Sequence, residues 1–350
     1  MSAGNDSNPN GVQVVWFKRD LRTNDHRALA EAARRGRCLC LYVYEQDIFN
    51  AEDFDPAHLV FMNEALESLS GALKTLGTNL TLRTGTMPEV LDEIHQAFGI
   101  AGLWSHQETG NAVTYTRDKR VRSWSRKNGI RWTEFQDRGV VRGLSSRDGW
   151  SRLWHSHVKE ASIPVPREIA PALNIDPGDI RHQDVLRLAP STKTVVQIGG
   201  RKAALEALDS FLHQRGVNYR KDMSSPRAGW TGCSRVSPYL AWGCISIREL
   251  YQRVESRRED FRSSSDPALD PRWRASLSAY SQRLRWHCHF IQKLEDEPAI
   301  EFENMNRGFD GLRENEFDED RFDAWRHGMT GYPMVDACMR ALRATGWINF

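Results

Sequence analysis

The sequence predicts an α/β domain followed by an all-α domain, with a long connector between them. Short runs of β-branched and aromatic residues alternate with longer helical patterns up to residue 136, and from residue 200 onward the apolar periodicity is helical throughout. Such alternation is typical of a doubly wound parallel sheet. We therefore expect a disordered lead-in at 1–11, an α/β domain at 12–136, a connector at 137–199 and a helical domain at 200–350.

The strands and helices of the α/β domain follow one another along the chain. Each predicted strand is a short apolar run, and the stretch after it repeats apolar residues at helical spacing. Two neighbouring parallel strands require such a crossover between them. The predicted strands are 14–17, 38–44, 80–83, 102–105 and 131–135, and the predicted helices are 27–34, 58–76, 87–98 and 115–127.

The connector and the helical domain differ in their content of helix breakers. Prolines, glycines and serines interrupt residues 137–199, which indicates a segment that wraps over the surface. Beyond it the apolar spacing returns. Helices are predicted at 203–214, 236–243, 247–257, 274–294, 322–327 and 334–344.

The composition limits the classes of function. Of 350 residues, 40% are hydrophobic and 27% are charged, and the formal net charge is +2, so a nucleic-acid surface would have to be a local basic patch. No run of about eighteen apolar residues occurs, which predicts no membrane partner. The cysteines lack zinc or redox spacing and no secretory leader is evident, so we expect reduced thiols, a cytoplasmic protein and no metal site.

Two features suggest cofactor chemistry without identifying the cofactor. The hydroxyls of Ser234 and Ser237, together with backbone N–H groups at a helix start, can bind an anionic group such as phosphate. As a bare pattern, Ser-x-x-Ser is more often a helix cap than an anion site. The chain has 12 tryptophans, which either pack in the core or include a subset placed for electron transfer beside a redox cofactor.

Four segments resemble the photolyase and cryptochrome family. They are residues 16–25 (WFKRDLRTND), 232–243 (GCSRVSPYLAWG), 279–290 (AYSQRLRWHCHF) and 323–350 (DAWRHGMTGYPMVDACMRALRATGWINF). The family usually has Asp-Asn at the end of the first segment, where this chain has Asp25-His26. The resemblance covers residues 12–350 and implies an α/β domain followed by a helical domain that binds FAD.

The resemblance also implies which residues hold FAD. The segment at 232–243 is similar to the family's flavin phosphate segment, although the family usually has threonine at the position of Cys233 and arginine at that of His287. Both changes alter the polar groups offered to the cofactor. The residues implied to bind FAD are Tyr219, Cys233, Ser234, Arg235, Val236, Ser237, Tyr280, Arg283, His287 and Trp347.

The catalytic and DNA-binding residues are likewise implied by the resemblance. Trp286 matches the tryptophan that stacks on damaged bases, and Trp325 matches the outer member of the tryptophan chain that photoreduces the flavin, which makes these two the expected electron-relay residues. Gln282, Arg283 and Arg340 are implied to face DNA together with Trp286. At the position of Arg283, repair enzymes for cyclobutane dimers carry a glutamate that hydrogen-bonds the lesion.

The implied function is a carbon–carbon lyase that repairs pyrimidine dimers in damaged DNA under blue light, by electron transfer from reduced FAD. Alternatives are a cryptochrome-like photoreceptor without repair activity, which Arg283 and His287 favour, repair of (6-4) photoproducts, and a protein without cofactor. A second, antenna chromophore of folate or deazaflavin type is implied near residues 106–111, without assigned ligands. We expect a monomer, and we expect that the last part of the family's flavin domain is missing from this chain.

Overall fold

The computed structural model describes residues 11–263 and 270–349. Residues 1–10 of the predicted lead-in lie outside the described residues. Strands and helices alternate up to residue 135 and helices follow from residue 150 onward, which confirms the predicted fold class. In the described ranges, no helix combines the length and the apolar character that crossing a membrane requires.

Five parallel strands form the sheet of the α/β domain. Their order across the sheet is β3-β2-β1-β4-β5, and every adjacent pair runs parallel. The chain winds outward from β1 in both directions, so the carboxyl ends of β1 and β4 meet at the switch point where such sheets place ligands. The strands are β1 (Val12–Trp16), β2 (Cys38–Tyr44), β3 (Leu80–Thr84), β4 (Ile100–His106) and β5 (Trp132–Phe135).

Helices cover the sheet, and the local sequence explains where the longer ones begin. The Asp55 carboxylate accepts a hydrogen bond from the Ala57 N–H at 2.8 Å, and Asn111 accepts one from the Thr114 N–H at 3.0 Å. Both side chains are N-caps that satisfy free amides of a first turn. The helices of this domain are α1 (Arg27–Ala33), α2 (Gln46–Phe49), α3 (Pro56–Thr75), α4 (Met87–Phe98) and α5 (Ala112–Lys127).

The central strand β1 is buried on both of its faces. Val14 and Trp16 pack in one apolar cluster with Leu91 of α4, whereas Val15 packs in a second cluster with Leu66 of α3. Successive side chains of a strand point to opposite faces, and a parallel sheet under crossover helices buries both of them.

The second half of the described chain is helical. Its helices are α6 (Trp150–Lys159), α7 (Arg201–Ser210), α8 (Tyr219–Asp222), α9 (Gly229–Gly232), α10 (Ser237–Ala241), α11 (Ile247–Ser263), α12 (Arg272–Asp296), α13 (Glu319–His327) and α14 (Pro333–Thr345). Helix α7 continues into a π-helical turn at Phe211–Arg215. Short 3₁₀ turns at Pro298–Glu301, Arg307–Phe309 and Glu314–Glu316 link α12 to α13.

Helix α6 lies inside the segment predicted as a connector and was not predicted. Trp150, Trp154 and Val158 recur every fourth residue and are buried. This spacing places them on one face of a helix. After α6, residues 160–200 run without a described helix, and an isolated bridge joins Pro171 to Cys38 of β2.

The helical half meets the α/β domain at the turn after β1. Gly243 has a φ of +68°, and a Cβ there would lie 2.3 Å from the Arg19 carbonyl oxygen, so the close approach requires glycine. The Leu21 N–H donates to the Trp242 carbonyl at 3.0 Å, and Nη1 of Arg22 donates to the Gly243 carbonyl at 3.2 Å. The turn at 18–22 is therefore an interdomain contact.

Candidate functional site

Arg215 holds the segment that the sequence predicts to bind phosphate. It ends the π-helical turn, and its guanidinium donates to one hydroxyl and four backbone carbonyls, so all five of its N–H groups are used. The acceptors are Ser210 Oγ at 2.9 Å, Thr231 O at 3.1 Å, Ala207 O at 2.8 Å, Ser234 O at 2.6 Å and Cys233 O.

The amides of this segment face away from Arg215. A trans peptide carries its C=O and N–H on opposite sides, so the bonds to the Cys233 and Ser234 carbonyls turn the Ser234 and Arg235 N–H groups outward. Arg235 has a φ of +62°, and left-handed residues of this kind shape successive N–H groups into anion-binding nests. Among the described residues, no backbone carbonyl accepts from these two N–H groups.

Cys233, Val236 and Ser237 complete the predicted phosphate segment. Burial raises the pKa of the Cys233 thiol, so the side chain is a neutral thiol, which is a weaker hydrogen-bond donor than a hydroxyl. Val236 is buried in the core. Ser237 is exposed and begins α10, which has only 5 residues.

Two tryptophans stack on the Arg235 side chain. Its Cζ atom lies 5.2 Å from the ring centre of Trp230 and 4.0 Å from that of Trp347, and the two ring centroids are 4.8 Å apart. Gln197 of the connector donates to the Arg235 carbonyl at 2.8 Å. The predicted cofactor residues Arg235 and Trp347 are therefore in direct contact although they are distant in the sequence.

The charges of Arg215 and Arg235 have no carboxylate partner in the described part of the chain. Burial lowers the pKa of both guanidinium groups, and for Arg235 the nearby Arg215 lowers it further. Asp222 lies close by, because a Cβ at Gly232 would be 2.5 Å from its Oδ2 atom, but it pairs with neither guanidinium. Two neighbouring cations of this kind favour a ligand with two negative charges, such as a diphosphate.

Tyr219 and Tyr280 meet beside the same segment. Their ring centroids are 5.3 Å apart, and both rings pack on Phe211 of the π-helical turn. Burial raises the pKa of Tyr219 to about 12 and that of Tyr280 above its usual range.

The Tyr280 hydroxyl is buried and has no hydrogen-bond partner among the described residues. Ser234 approaches closely enough to lower the pKa of this hydroxyl, but the two groups do not meet hydrogen-bond geometry. Buried polar atoms are nearly always paired. A ligand oxygen beside Ser234 would supply the missing partner, so the residues present fit a phosphate-bearing cofactor.

Helix α12 turns different faces to the core and to solvent. Tyr280 and Leu284 are buried, whereas Trp286 is 45% exposed. The Trp286 ring lies 5.8 Å from that of Phe290, and Cζ of Arg283 lies 5.5 Å from its centre. An exposed aromatic face beside a guanidinium can stack on an unpaired base.

The other two predicted residues of α12 are Gln282 and His287. Gln282 is exposed. His287 keeps some surface exposure, yet burial of its ring, together with Arg138, lowers its pKa to about 3. The imidazole is therefore neutral at pH 7, whereas an arginine at this position would carry a charge.

Trp325 and Arg340 lie on the last two helices. Trp325 is 45% exposed, and within the described residues its ring contacts Phe322, at 5.6 Å, and not another tryptophan. The structure thus does not join Trp325 to Trp286 or Trp347. Arg340 donates to the Gly328 carbonyl from Nε at 2.9 Å and from Nη2 at 2.7 Å, which ties α14 to the end of α13.

A buried polar cluster fills the switch point between β1 and β4. Oδ2 of Asp20 lies 2.7 Å from Nδ1 of His106 and 3.0 Å from Nε2 of His26, and all three residues are buried. Nδ1 of His26 accepts the Leu29 N–H at 3.0 Å, so the ring proton of neutral His26 is on Nε2. Nε2 could bind a metal ion only by losing that proton, and the cluster is therefore a polar network.

The same cluster fixes the charge state of its carboxylates. Burial alone would raise the pKa of Asp20, but contacts with His26 and His106 outweigh it and hold this pKa well below its usual value. Burial likewise opposes ionisation of Asp137, yet its ion pair with Arg22 outweighs this and lowers the pKa to about 2. Both carboxylates are ionised at neutral pH.

Arg117 forms ion pairs with three carboxylates beside this cluster, near the carboxyl ends of the strands. It pairs with Glu45 at 3.4 Å, Glu108 at 2.6 Å and Asp118 at 2.8 Å. The cleft beside Glu45, Glu108 and Arg117 is small, with a volume of ≈ 30 Å³. Larger clefts lie further out, one of ≈ 570 Å³ beside Thr86 and one of ≈ 510 Å³ beside Tyr115.

Sequence reasoning missed Arg215 and gave no role to Asp20, His106 and Asp137. Arg215 lies one residue beyond the helix predicted at 203–214, and its contacts with the phosphate segment depend on a π-helical turn that the sequence pattern does not reveal. The other three come from separate segments that meet because β1, β4 and β5 are neighbours. The one available signal was that the carboxyl ends of these strands share an edge.

Two family models match the chain. Residues 13–145 match the model of DNA photolyase, and residues 280–350 match the model of the FAD binding domain of DNA photolyase. Together they cover more than half of the sequence.

Curated relatives of two kinds align with nearly the whole chain. The deoxyribodipyrimidine photo-lyase of Halobacterium salinarum is 26% identical, over 97% of this chain and 72% of the relative. Cryptochrome-2 of Arabidopsis thaliana is also 26% identical, over 96% of this chain and 57% of the relative. Sequence similarity alone thus does not separate a repair enzyme from a photoreceptor.

A solved structure shows the same fold. A class III photolyase from Agrobacterium tumefaciens superposes with a TM-score of 0.79 at 22% identity, covering 99% of this chain and 72% of that chain. The two family models cover the segment at 16–25, nearly all of that at 279–290 and the segment at 323–350, and the long alignments and this fold agree with them. The chain therefore belongs to the photolyase/cryptochrome family, with the family's FAD-binding domain in its helical half.

Proposed function

We propose that this protein is a light-driven DNA lyase that uses FAD to repair pyrimidine dimers. The observation that supports it most is the site around residue 234, where the amides point outward. Among the described residues, its two guanidinium groups lack a carboxylate partner and the Tyr280 hydroxyl lacks a hydrogen-bond partner. This combination suits the diphosphate of a dinucleotide. The proposed cofactor residues are Tyr219, Cys233, Ser234, Arg235, Val236, Ser237, Tyr280, Arg283, His287 and Trp347.

Bound reduced FAD supplies the electron for repair after it absorbs light. The chain's own residues orient the cofactor and hold the substrate. The exposed ring of Trp286 stacks on the bases of a flipped dimer, and Gln282, Arg283 and Arg340 contact the DNA around it. Because the formal net charge is only +2, this attraction is local, and the affinity falls as salt is raised.

A second candidate is a photoreceptor that repairs no DNA. Arg283 favours this candidate. At the position of Arg283 dimer-repair enzymes carry a glutamate, whereas here a guanidinium lies over the Trp286 ring. His287 is neutral at pH 7 where the family usually has a charged arginine, and this also departs from the pattern of a dimer-repair site. Repair of a (6-4) photoproduct is a third candidate, since it does not need that glutamate.

The deciding experiment illuminates the reduced protein with two oligonucleotides, one with a cyclobutane dimer and one with a (6-4) photoproduct. Restored bases are measured by chromatography, with dark samples as controls. Restoration of the cyclobutane dimer supports our proposal, and restoration of the (6-4) product alone supports the third candidate. Flavin that is photoreduced without repair of either oligonucleotide would favour the photoreceptor, and a colourless protein would contradict every flavin-based candidate.

For an antenna chromophore we propose the ≈ 510 Å³ cleft between α5 and the residues after α12. Tyr115 and Phe302 line it and are 60% and 75% exposed, so each can offer a ring face to a planar chromophore. Chromatography of the extracted chromophores of the wild type and of Tyr115→Ala tests this. A second chromophore that Tyr115→Ala retains at full occupancy would contradict the location.

We also propose that the protein is a cytoplasmic monomer. All six cysteines are free, which suits a reducing compartment. Light scattering coupled to size exclusion gives the mass in solution, and a dimer mass would contradict the monomer.

A further inference from the structure

We infer that Arg215 is a positioning residue for the diphosphate site, acting through the peptide carbonyls of Cys233 and Ser234 without touching the ligand. The inference rests on the proposed function, in which the segment beginning at Cys233 binds the diphosphate of FAD. It adds a residue that lies outside all four segments that resemble the family.

The π-helical turn at Phe211–Arg215 explains how Arg215 reaches this segment. In such a turn the chain bonds to a carbonyl five residues back, and here the Gly216 N–H donates to the Phe211 carbonyl at 3.0 Å. The extra residue turns Arg215 away from the direction it would have in a continuous α7. Phe211, at the start of the same turn, packs on Tyr219 and Tyr280, so one turn supports both halves of the site.

The bonds from Arg215 have a directional effect on the site. They fix two consecutive peptides with their carbonyls toward Arg215, and the N–H groups of Ser234 and Arg235 therefore point together to the other side. A carbonyl that accepts a charged hydrogen bond polarises its peptide, which makes the N–H of that peptide a stronger donor. The positive charge behind the peptides has no carboxylate partner in the described chain, so it also stabilises an anion in front of them.

A residue without the guanidinium fork would lose these effects. Methionine has a similar length but donates nothing, so the two carbonyls would lose their shared donor and the segment could relax. Lysine keeps the charge, but its ammonium cannot reproduce the planar fork that joins several carbonyls. The variants Arg215→Met and Arg215→Lys therefore separate the charge from the geometry.

The test measures the binding of adenosine diphosphate and of FAD by calorimetry, in the wild type and in R215M, R215K and R257M. Arg257 is the matched control, because its Nε donates to the Leu212 carbonyl of the same π-helical turn at 3.3 Å without contacting the phosphate segment. R215M is expected to bind adenosine diphosphate about 10- to 100-fold more weakly than the wild type. R215K is expected to lose less, and R257M to bind as the wild type does.

Thermal unfolding without ligand shows whether each variant folds. If R215M does not fold, R215K alone gives the test. R215K that binds adenosine diphosphate as tightly as R257M does would then overturn the inference. Equal affinity of R215M and the wild type, equal losses in R215M and R257M, or no binding of adenosine diphosphate by the wild type would also overturn it. Binding that depends on Arg215, in a protein that fails the illumination experiment, would contradict the proposed repair function and leave the role of Arg215 standing.

Discussion

The Nε2 atom of His26 lies 3.0 Å from Oδ2 of Asp20, while Nδ1 of the same ring accepts the Leu29 N–H and caps α1. The hydrogen bond at Nδ1 orients the ring, and Nε2 contacts Asp20 without hydrogen-bond geometry, in a position where the resembling family usually has asparagine. Burial, followed by the nearby His106, lowers the pKa of His26 from 6.5 to about 4. The folded protein keeps this histidine neutral in a pH range in which the unfolded chain protonates it.

His26→Asn is expected to make stability less dependent on pH. The unfolded chain binds a proton near pH 6.5 and the folded chain only near pH 4, so stability that is present above pH 6.5 is lost as the pH falls toward 4, by about 3 kcal/mol. Asparagine keeps an oxygen for the cap but does not titrate. Urea unfolding at several pH values measures the difference, with the exposed His182→Asn as control. The same pH slope in H26N and the wild type would contradict the prediction.

Gly243→Ala is expected to destabilise the protein more than Gly129→Ala. Both glycines have a positive φ, +68° and +65°, so alanine costs about 1–2 kcal/mol of conformational free energy at either site. Only at Gly243 would the new Cβ also collide with the backbone of Arg19, whereas nothing lies within 4 Å of it at Gly129. Urea unfolding gives both free energies. Equal losses would mean that the interdomain contact tolerates a methyl group.

Trp286→Ala is expected to weaken binding to a duplex that contains a pyrimidine dimer by about 5- to 150-fold, since stacking of a base on an aromatic ring is worth about 1–3 kcal/mol. Binding to intact duplex should change little, because phosphate contacts dominate there. Fluorescence anisotropy at a fixed salt concentration measures both. Tyr115→Ala removes another exposed ring, on the α/β domain, and is expected to leave both affinities unchanged. A W286A protein that still prefers damaged DNA as the wild type does would remove Trp286 from the lesion site.

Cys233→Thr is expected to tighten FAD binding by up to about 10-fold. Burial keeps the thiol neutral, and a hydroxyl in its place would donate a hydrogen bond worth about 0.5–1.5 kcal/mol. Quenching of flavin fluorescence during titration gives the dissociation constants. Cys338→Thr on α14 is the control and should bind as the wild type does. Unchanged affinity in C233T would place the side chain of residue 233 away from the phosphates.

Much of the fold follows from local sequence, because its strands are short apolar runs between breakers. The predicted strand at 38–44 and the predicted helix at 87–98 have the observed bounds of β2 and α4. Helix α6 was not predicted because the prolines that follow it made the whole segment at 137–199 look like a connector without helices. The π-helical turn was not predicted because its residues continue the apolar spacing of α7, and the departure from α-helical geometry depends on tertiary contacts of Phe211 and Arg215.

The residues of the candidate site were predictable from the sequence only where they belong to a segment that resembles the family. The segment at 232–243 and Tyr219, Tyr280 and Trp347 come together around Arg215 and Arg235, although their roles in cofactor binding stay predictions. The polar cluster of Asp20, His26 and His106 depends on strand order and tautomer, which one sequence does not show. The role of Trp325 in an electron relay stays a prediction, and among the described residues its ring contacts Phe322.

The hydrogen bonds between the turn at 18–22 and residues 242 and 243 determine what would happen if the two halves of the protein were separated. The Leu21 N–H and the Arg22 guanidinium take their acceptors from residues 242 and 243, and Arg248 of α11 binds the Asp25 carboxylate at 2.5 Å. A fragment that ends in the connector would lose all three partners and expose the charged turn that they cover. We therefore expect a fragment that is cut at this proline-rich boundary to be less stable than the same residues are in the intact protein.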